Sequence, residues 1–518
     1  MSRWFLDTRS SFAASVLFCA VLLYFVRLPL WHTDLWGHLS YGRLIWETGE
    51  LPEREPFLLT PDDRSIVDTA WLSQLVFYAV ESQYGVGGLQ LIFAVTIALM
   101  SVMIFVTGYR LSNRVWIGLV GTVLFLWLEW AQFQIIRPQL AGSLLFVLLA
   151  CRYQFPFRLP LLWWIPPLLL LTANLHGSFI MGVGLTGAWV LAQLIDSVRQ
   201  NRRLMAWTQD RNILWSCMLL LVLIAVPLIN PYGAQLYRTV LTFSSDPNLY
   251  DLVEWKPQTI KSHQGKVMLG VCLLLIVLWR RNQSAISTFN GILLLVLGVS
   301  TLLTGRMMVW WAPVAVLEVM RQLQGQIIES PELSVLPDDR HRDQTRWVYQ
   351  GISLLGVIIG FAWAIHERNW ERVTDTLERG QGSFALKQTL SERTPLELEQ
   401  FLYQQIQTRS EPYRMIHPME WGDFFIWTNH AEQPVFTYSH VHLISRQIWI
   451  DYRLTMQLHA GWLQQLDRYR IDLVVLSKSR NSLVVDRLRS SPDWSLIYED
   501  HLGVIFERIN SLSENGNN

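Results

Sequence analysis

Long apolar runs alternate with short polar breaks over the first two thirds of the chain, and the pattern changes abruptly near residue 366. The runs occupy about 11–30, 86–107, 115–131, 138–151, 159–174, 177–196, 212–229, 266–280, 287–304, 306–320 and 346–366. A bilayer core takes a helix of roughly 20 apolar residues. The pattern therefore predicts a polytopic α-helical membrane protein of about eleven spans, several of them short. Within the first long break, 31–85, apolar spacing predicts two interfacial helices, 34–47 and Trp71–Tyr84. The first run follows Arg3 and Arg9, as in a secretory signal. It continues into Arg27-Leu-Pro-Leu-Trp with no small-residue cleavage site, so an uncleaved first span is expected.

Charge in the breaks sets the expected orientation. Lys and Arg gather at Tyr109–Arg114, at Arg152 with Arg158, at Arg199–Arg203 with Arg211, at Arg280-Arg281, and from Arg321 to Arg346. Basic connections stay cytoplasmic. Counting from a cytoplasmic N terminus puts every one of them inside, and an odd number of spans puts everything after about Ile365 outside. The other breaks are then extracytoplasmic: 31–85, the turns near Arg137, His176 and Arg306, and 230–265. Those breaks hold the unusual polar chemistry.

Composition agrees with this reading. The chain is 51% hydrophobic and 16% charged, against about a quarter charged in soluble domains. Its zero net charge offers no basic surface for nucleic acid. Tryptophan is abundant, which suits interfacial belts. Cys19, Cys151, Cys217 and Cys272 fall in or beside apolar runs without CxxC spacing, and read as packing residues.

Four regions follow: a transmembrane region 1–366 with its first outer loop at 31–85, a charged helical connector 367–410, a small α/β domain 411–510, and a polar tail 511–518. The α/β domain carries strand patterns at Tyr413–Ile416, Pro434–Tyr438, Ile471–Ser477, Trp494–Glu499 and Gly503–Arg508, with helical patterns at 447–468 and 481–490. It has no GxGxxG and no P-loop, so nucleotide binding is unsupported. Packing over a membrane cleft or gripping an acceptor is the expected role.

Each candidate residue has two readings. Asp34 suits a helix N-cap, or a general base activating an acceptor hydroxyl. His38, four residues on, falls on the same helical face. His32, Asp34 and His38 could gather a divalent metal, without a recognised ligand spacing. Arg137 and Arg306 stand at outer span ends, where arginines snorkel to headgroups or clamp a lipid phosphate. His176, in Asn174-Leu-His-Gly-Ser178, is an exposed turn histidine or a site residue approached closely through its glycine neighbour. Glu254 beside Trp255 is a solvated loop residue or a pair suited to a sugar's hydroxyls and apolar face. Asp62-Asp63 after Pro61 reads as a turn.

The order of parts, and the segments "TDLWGHLSYGRLIWETGELPEREPF", "TAWLSQLVFYAVESQYGVGGLQL", "RPQLAGSLLF" and "NLHGSFIMG", resemble the GT-C superfamily of membrane glycosyltransferases over most of the chain. The resemblance implies a sugar transferase that uses a polyprenyl-phosphate-linked donor on the outer face. It implies that Asp34 is the first-loop catalytic aspartate and that Arg306 meets the lipid phosphate. The chain departs from the pattern in two places: Leu35 stands where mannosyltransferases often have a second acid, and there is no WWDxG motif. Sugar and acceptor do not carry over. The expected partners are a lipid-linked sugar donor, membrane lipids and an acceptor that is a glycan, lipid or protein, with no nucleic acid; no cofactor is assigned. The competing classes are a transporter or flippase of lipid-linked sugars and a noncatalytic assembly protein.

Overall fold

Every apolar run of the sequence lies on a helix in the computed structural model, which describes residues 8–30, 34–61, 65–158, 160–203, 205–282, 285–328, 342–366, 371–378, 384–429 and 433–509. In chain order the helices of this region are Thr8–Phe25, Leu35–Thr48, Trp71–Ser112, Val115–Leu128, Gln139–Arg152, Leu161–Leu175, Phe179–Asn201, Arg211–Ala225, Ala234–Thr242, His263–Asn282, Thr288–Leu303, Met308–Ile328 and Arg342–His366. Among the described residues, four helices are long and apolar enough to cross a membrane: Trp71–Ser112, Phe179–Asn201, Arg211–Ile229 and His263–Asn282. Six shorter apolar helices accompany them. Helix Met308–Ile328 runs through the centre of the bundle, with Ala312, Ala315, Val316, Leu317, Val319 and Met320 fully buried.

The two helices expected within 31–85 are both present. Leu35–Thr48 ends on Gly49, whose left-handed φ of 71° lets its N–H cap the Ile45 carbonyl. The helical stretch Trp71–Ser112 breaks at Gly85, where φ 57° and ψ −164° define a conformation open in practice to glycine alone. This residue separates the segment Trp71–Tyr84 from the long apolar part that follows. Gly42 of the first segment abuts the Gln74 carbonyl of the second, so the two pack closely.

The C-terminal region is a four-stranded sheet with helices around it. Its strands are β1 (Met415–Ile416), β2 (Leu473–Ser477), β3 (Trp494–Glu499) and β4 (Gly503–Arg508), in the order β1-β2-β4-β3. β1 runs parallel to β2, and the other pairs are antiparallel. Two expectations need correction. Pro434–Tyr438 is not a strand of this sheet, because Val435 pairs its backbone with the first outer loop: Val435 N–H donates to Phe57 O at 2.9 Å and Leu59 N–H to Val435 O at 2.8 Å. The helix expected over 447–468 splits into Arg446–Met456 and Trp462–Arg468, since Leu458 and Gly461 take positive φ. Helix Met419–Asn429, with every residue from Trp421 onward buried, was not anticipated.

The sheet domain is pinned to the membrane region at several points. Asn248 donates its side-chain amide to Val441 O at 2.9 Å and Ile444 O at 2.8 Å. Asp251 accepts from Trp449 Nε1 at 3.0 Å and pairs with Arg446 at 2.7 Å. Helix Met419–Asn429 packs on Leu35–Thr48, with Trp36 edge-on to Phe424 at 5.3 Å. At that contact Gly37 leaves room for the Asp423 carboxylate, and a methyl group would collide with Oδ1. Gly37→Ala is expected to loosen the sheet domain, seen as faster limited proteolysis and a lower Tm. Gly184→Ala, with nothing near its added carbon, should change neither. Equal stability of the two variants would show that this contact does not hold the domain.

Candidate functional site

Four residues from separate breaks in the apolar pattern converge through charge. Arg137 Nε lies 2.9 Å from Asp34 Oδ2, and Arg137 Nη1 lies 2.7 Å from Glu254 Oε2. Glu254 Oε1 pairs with Arg306 Nη1 at 3.2 Å. Arg306 also donates to the Gln139 side-chain carbonyl at 3.4 Å and sits 5.2 Å from the Trp255 ring centre. The order is carboxylate, guanidinium, carboxylate, guanidinium, and the charges balance.

Asp34 occupies the N-cap position of Leu35–Thr48 but makes no side-chain capping bond. The capping alternative is set aside, since the carboxylate faces Arg137. Burial raises the Asp34 carboxyl, but the fields of Arg137 and Arg306 outweigh it and hold the pKa below the ordinary value. Glu254 behaves likewise: burial pushes it up, and Arg306 and Arg137 bring it below the carboxylate norm. Burial works against the charge on Arg137, yet Asp34 and Glu254 prevail and keep it firmly protonated.

These residues line a cavity of about 530 Å³ that also contains His38, His176, His440 and His442. The His176 Nδ1 accepts from Ser178 N–H at 3.0 Å, which leaves the ring proton on Nε2. Burial, then Arg306 and Arg137, depress this imidazole to about 3. The His38 ring is also driven well down by burial and by neighbouring His440. Its Nδ1 lies 3.3 Å from Gln74 Nε2, which in turn donates to Asp68 Oδ1 at 3.1 Å. All six residues singled out in the sequence therefore meet: Asp34, His38, Arg137, His176, Glu254 and Arg306. His32 lies outside the described residues, so the grouping of His32, Asp34 and His38 is not placed.

Sequence reasoning missed the wall supplied by the sheet domain. His440 lies 5.3 Å from the His38 ring and 5.6 Å from His442, as a row of three imidazoles. Burial depresses His440 to about 4, against a smaller upward pull from Asp34. The backbone carrying it is held by Asp423, which accepts from Ser439 N–H at 2.9 Å and Ser439 Oγ at 2.7 Å. Behind it, Glu55 accepts from the hydroxyls of Tyr41 and Tyr438. Two signals were available: His-Val-His in a turn, and Asp423 inside the apolar stretch Trp421-Gly-Asp-Phe-Phe.

The fold is shared with solved structures. The chain superposes on the oligosaccharyltransferase AglB of Archaeoglobus fulgidus, determined with an inhibitory peptide and a dolichol-phosphate, at TM-score 0.50 and 11% identity over 90% of this chain and 69% of that one. It superposes on ArnT of Cupriavidus metallidurans in the apo state at TM-score 0.50 and 12% identity, over 96% of this chain and 98% of that one. No protein-family profile matches the chain, and no curated protein sequence does. AglB and ArnT are GT-C glycosyltransferases, and the chain has the GT-C fold.

Burial, then the nearby Asp34 charge, raises the Asp423 carboxyl to about 7. The folded state thus holds a proton that the unfolded chain releases near 4. Stability from this group is greatest below that pH, declines as pH climbs toward 7, and levels off above. Asp423→Asn should flatten that decline between about pH 4 and about pH 7 in thermal unfolding of the reconstituted protein. The same slope in variant and wild type would show that Asp423 does not titrate there.

Proposed function

We propose that the chain moves a sugar from a polyprenyl-phosphate donor to an acceptor hydroxyl, with inversion at the anomeric carbon. The observation that carries this reading is the position of Arg306 between two cavities. One is the polar cavity of Asp34. The other, of about 420 Å³, shares Thr69, His176, Phe243, Trp255 and Arg306 with it, and is walled by apolar Met181, Val240, Leu303, Met307 and Trp310. A phosphate at Arg306 would have its prenyl chain on one side and its sugar on the other. Guanidinium forks match phosphate oxygens. The likeness to AglB, solved with a dolichol-phosphate, supports the donor class. We read this as the extracytoplasmic face, with the sheet domain on it, from the cytoplasmic N terminus and the about eleven spans that the charge pattern implies.

In the reaction, the acceptor oxygen bonds to the anomeric carbon as the bond from that carbon to the phosphate oxygen breaks. The electron pair leaves with the lipid phosphate, and Arg137 and Arg306 stabilise the added negative charge. The hydroxyl proton passes to Asp34. Without donor, Arg137 keeps Asp34 a weak base. A phosphate that draws the arginines toward itself raises the proton affinity of Asp34 when a base is needed. Neutral His38 offers a ring nitrogen to orient the acceptor. The two carboxylates are already paired with two guanidiniums. No step is assigned to a metal.

Asp34→Asn should lower sugar transfer by about 10²–10⁴-fold while leaving undecaprenyl phosphate bound. Mass spectrometry of surface glycans, from cells with and without each variant, reads transfer; native mass spectrometry of the full chain in nanodiscs reads binding. Unchanged transfer would remove Asp34 from this role, and flux of lipid-linked sugar without covalent transfer would indicate a transporter. A companion prediction concerns Glu254, whose carboxylate occupies the position between the arginines that a phosphate would take. Glu254→Gln should tighten undecaprenyl phosphate binding and Arg306→Ala should weaken it. The reverse order would refute a phosphate site there.

A further inference from the structure

A second polar feature lies at the far end of the bundle from Asp34. Helix Gln139–Arg152 begins beside Arg306, through Gln139, and ends at Arg152. Thirteen residues at 1.5 Å each separate those ends by about 20 Å, so Arg152 lies at the end of this helix away from Arg306. There Arg152 joins Arg110, from the last turn of Trp71–Ser112, and Arg158, from the next connection, around a cavity of about 480 Å³. The Arg152 guanidinium is fixed by two carbonyls of that connection, donating to Phe155 O at 3.2 Å and Pro156 O at 2.9 Å. The rest of the cavity is mainly apolar, with Met103, Val106, Leu148 and Trp164 among its walls. Among the described residues lining it there are three arginines and no carboxylate.

Basic residues at a helix end commonly reach for the surface. These three instead border a shared hollow with an apolar interior, a chemical mixture that neither water nor a simple anion matches. A phosphate among the guanidiniums gains charge-assisted bonds, and acyl chains attached to it cover the apolar walls. Basic pockets between spanning helices bind anionic headgroups in this way.

We infer that the hollow bordered by Arg110, Arg152 and Arg158 is a binding site for an anionic phospholipid in the leaflet opposite the Asp34 cavity. The occupant is a diacyl lipid with a negatively charged phosphate headgroup. It holds the ends of helices Trp71–Ser112 and Gln139–Arg152 together, the two elements whose other ends carry Gln74 and Gln139 into the candidate site. The inference is independent of the proposed transfer reaction.

The test uses the full chain in nanodiscs of phosphatidylcholine with a minor fraction of phosphatidylglycerol, with retained lipids counted by native mass spectrometry. Wild type should keep phosphatidylglycerol in preference to phosphatidylcholine, and millimolar inorganic phosphate should not displace it. Arg110→Gln with Arg158→Gln, which leaves the Arg152 turn intact, should weaken retention by roughly tenfold or more. Arg158→Lys should restore most of it when Arg110 is kept. A control, Arg199→Gln with Arg203→Gln in another basic connection, should retain lipid as wild type does. Equal retention in the two double variants, or full displacement by inorganic phosphate, would overturn the assignment.

Discussion

Two guanidiniums and two carboxylates facing one another, each half-buried in the wall of one cavity, govern the rest of this structure. Any one of these charges buried alone would cost several kcal/mol. Alternated, with Arg137 shared between Asp34 and Glu254 and Glu254 shared between two arginines, they tolerate burial together. The four residues come from four separate breaks in the apolar pattern. Their mutual need therefore acts as a constraint on where helix ends must meet. The two arginines also hold both carboxyls below their ordinary range, while burial first, and the arginines after it, lower the His176 imidazole.

Most of the helical region was legible in the sequence because membrane insertion writes itself as long apolar runs, and because the breaks between those runs carry their own signals. The interfacial pattern ended at Tyr84 and the apolar run began at 86, and the helix breaks between them, at Gly85. Asp34, Arg137, His176, Glu254 and Arg306 stood out as ionisable groups at the ends of apolar stretches, where burial needs a reason. Two readings remained open at Asp34, a helix cap and a general base, and no local pattern could show that its carboxylate turns to Arg137, about a hundred positions away. The sheet domain was less legible. Val435 has the composition of a sheet strand, but its partner is the first outer loop, and pairing across such a separation leaves no periodicity to find. His440 and His442 look like ordinary loop residues until the domain is docked.

The sheet domain is more than an appendage. Asp423, buried under Gly37, fixes Ser439 and hence the imidazole row that closes one side of the cavity. Asn248 and Asp251 hold the same domain from the other side, on the loop that carries Glu254. A movement of this domain would therefore change the position of Glu254 and the histidines together.

The backbone pairing of Phe57 and Leu59 with Val435, and of Leu30 with Thr389 and Ser391, bears on how the protein is made. A chain emerging from the ribosome delivers its first loop long before the residues that complete it. The early helices must enter the bilayer with that loop unfinished, its polar groups waiting for a distant stretch to be synthesised. Assembly of the cavity is thus a late, long-range event. Premature termination anywhere before the sheet domain would give a protein that inserts into the membrane yet never acquires a closed interior.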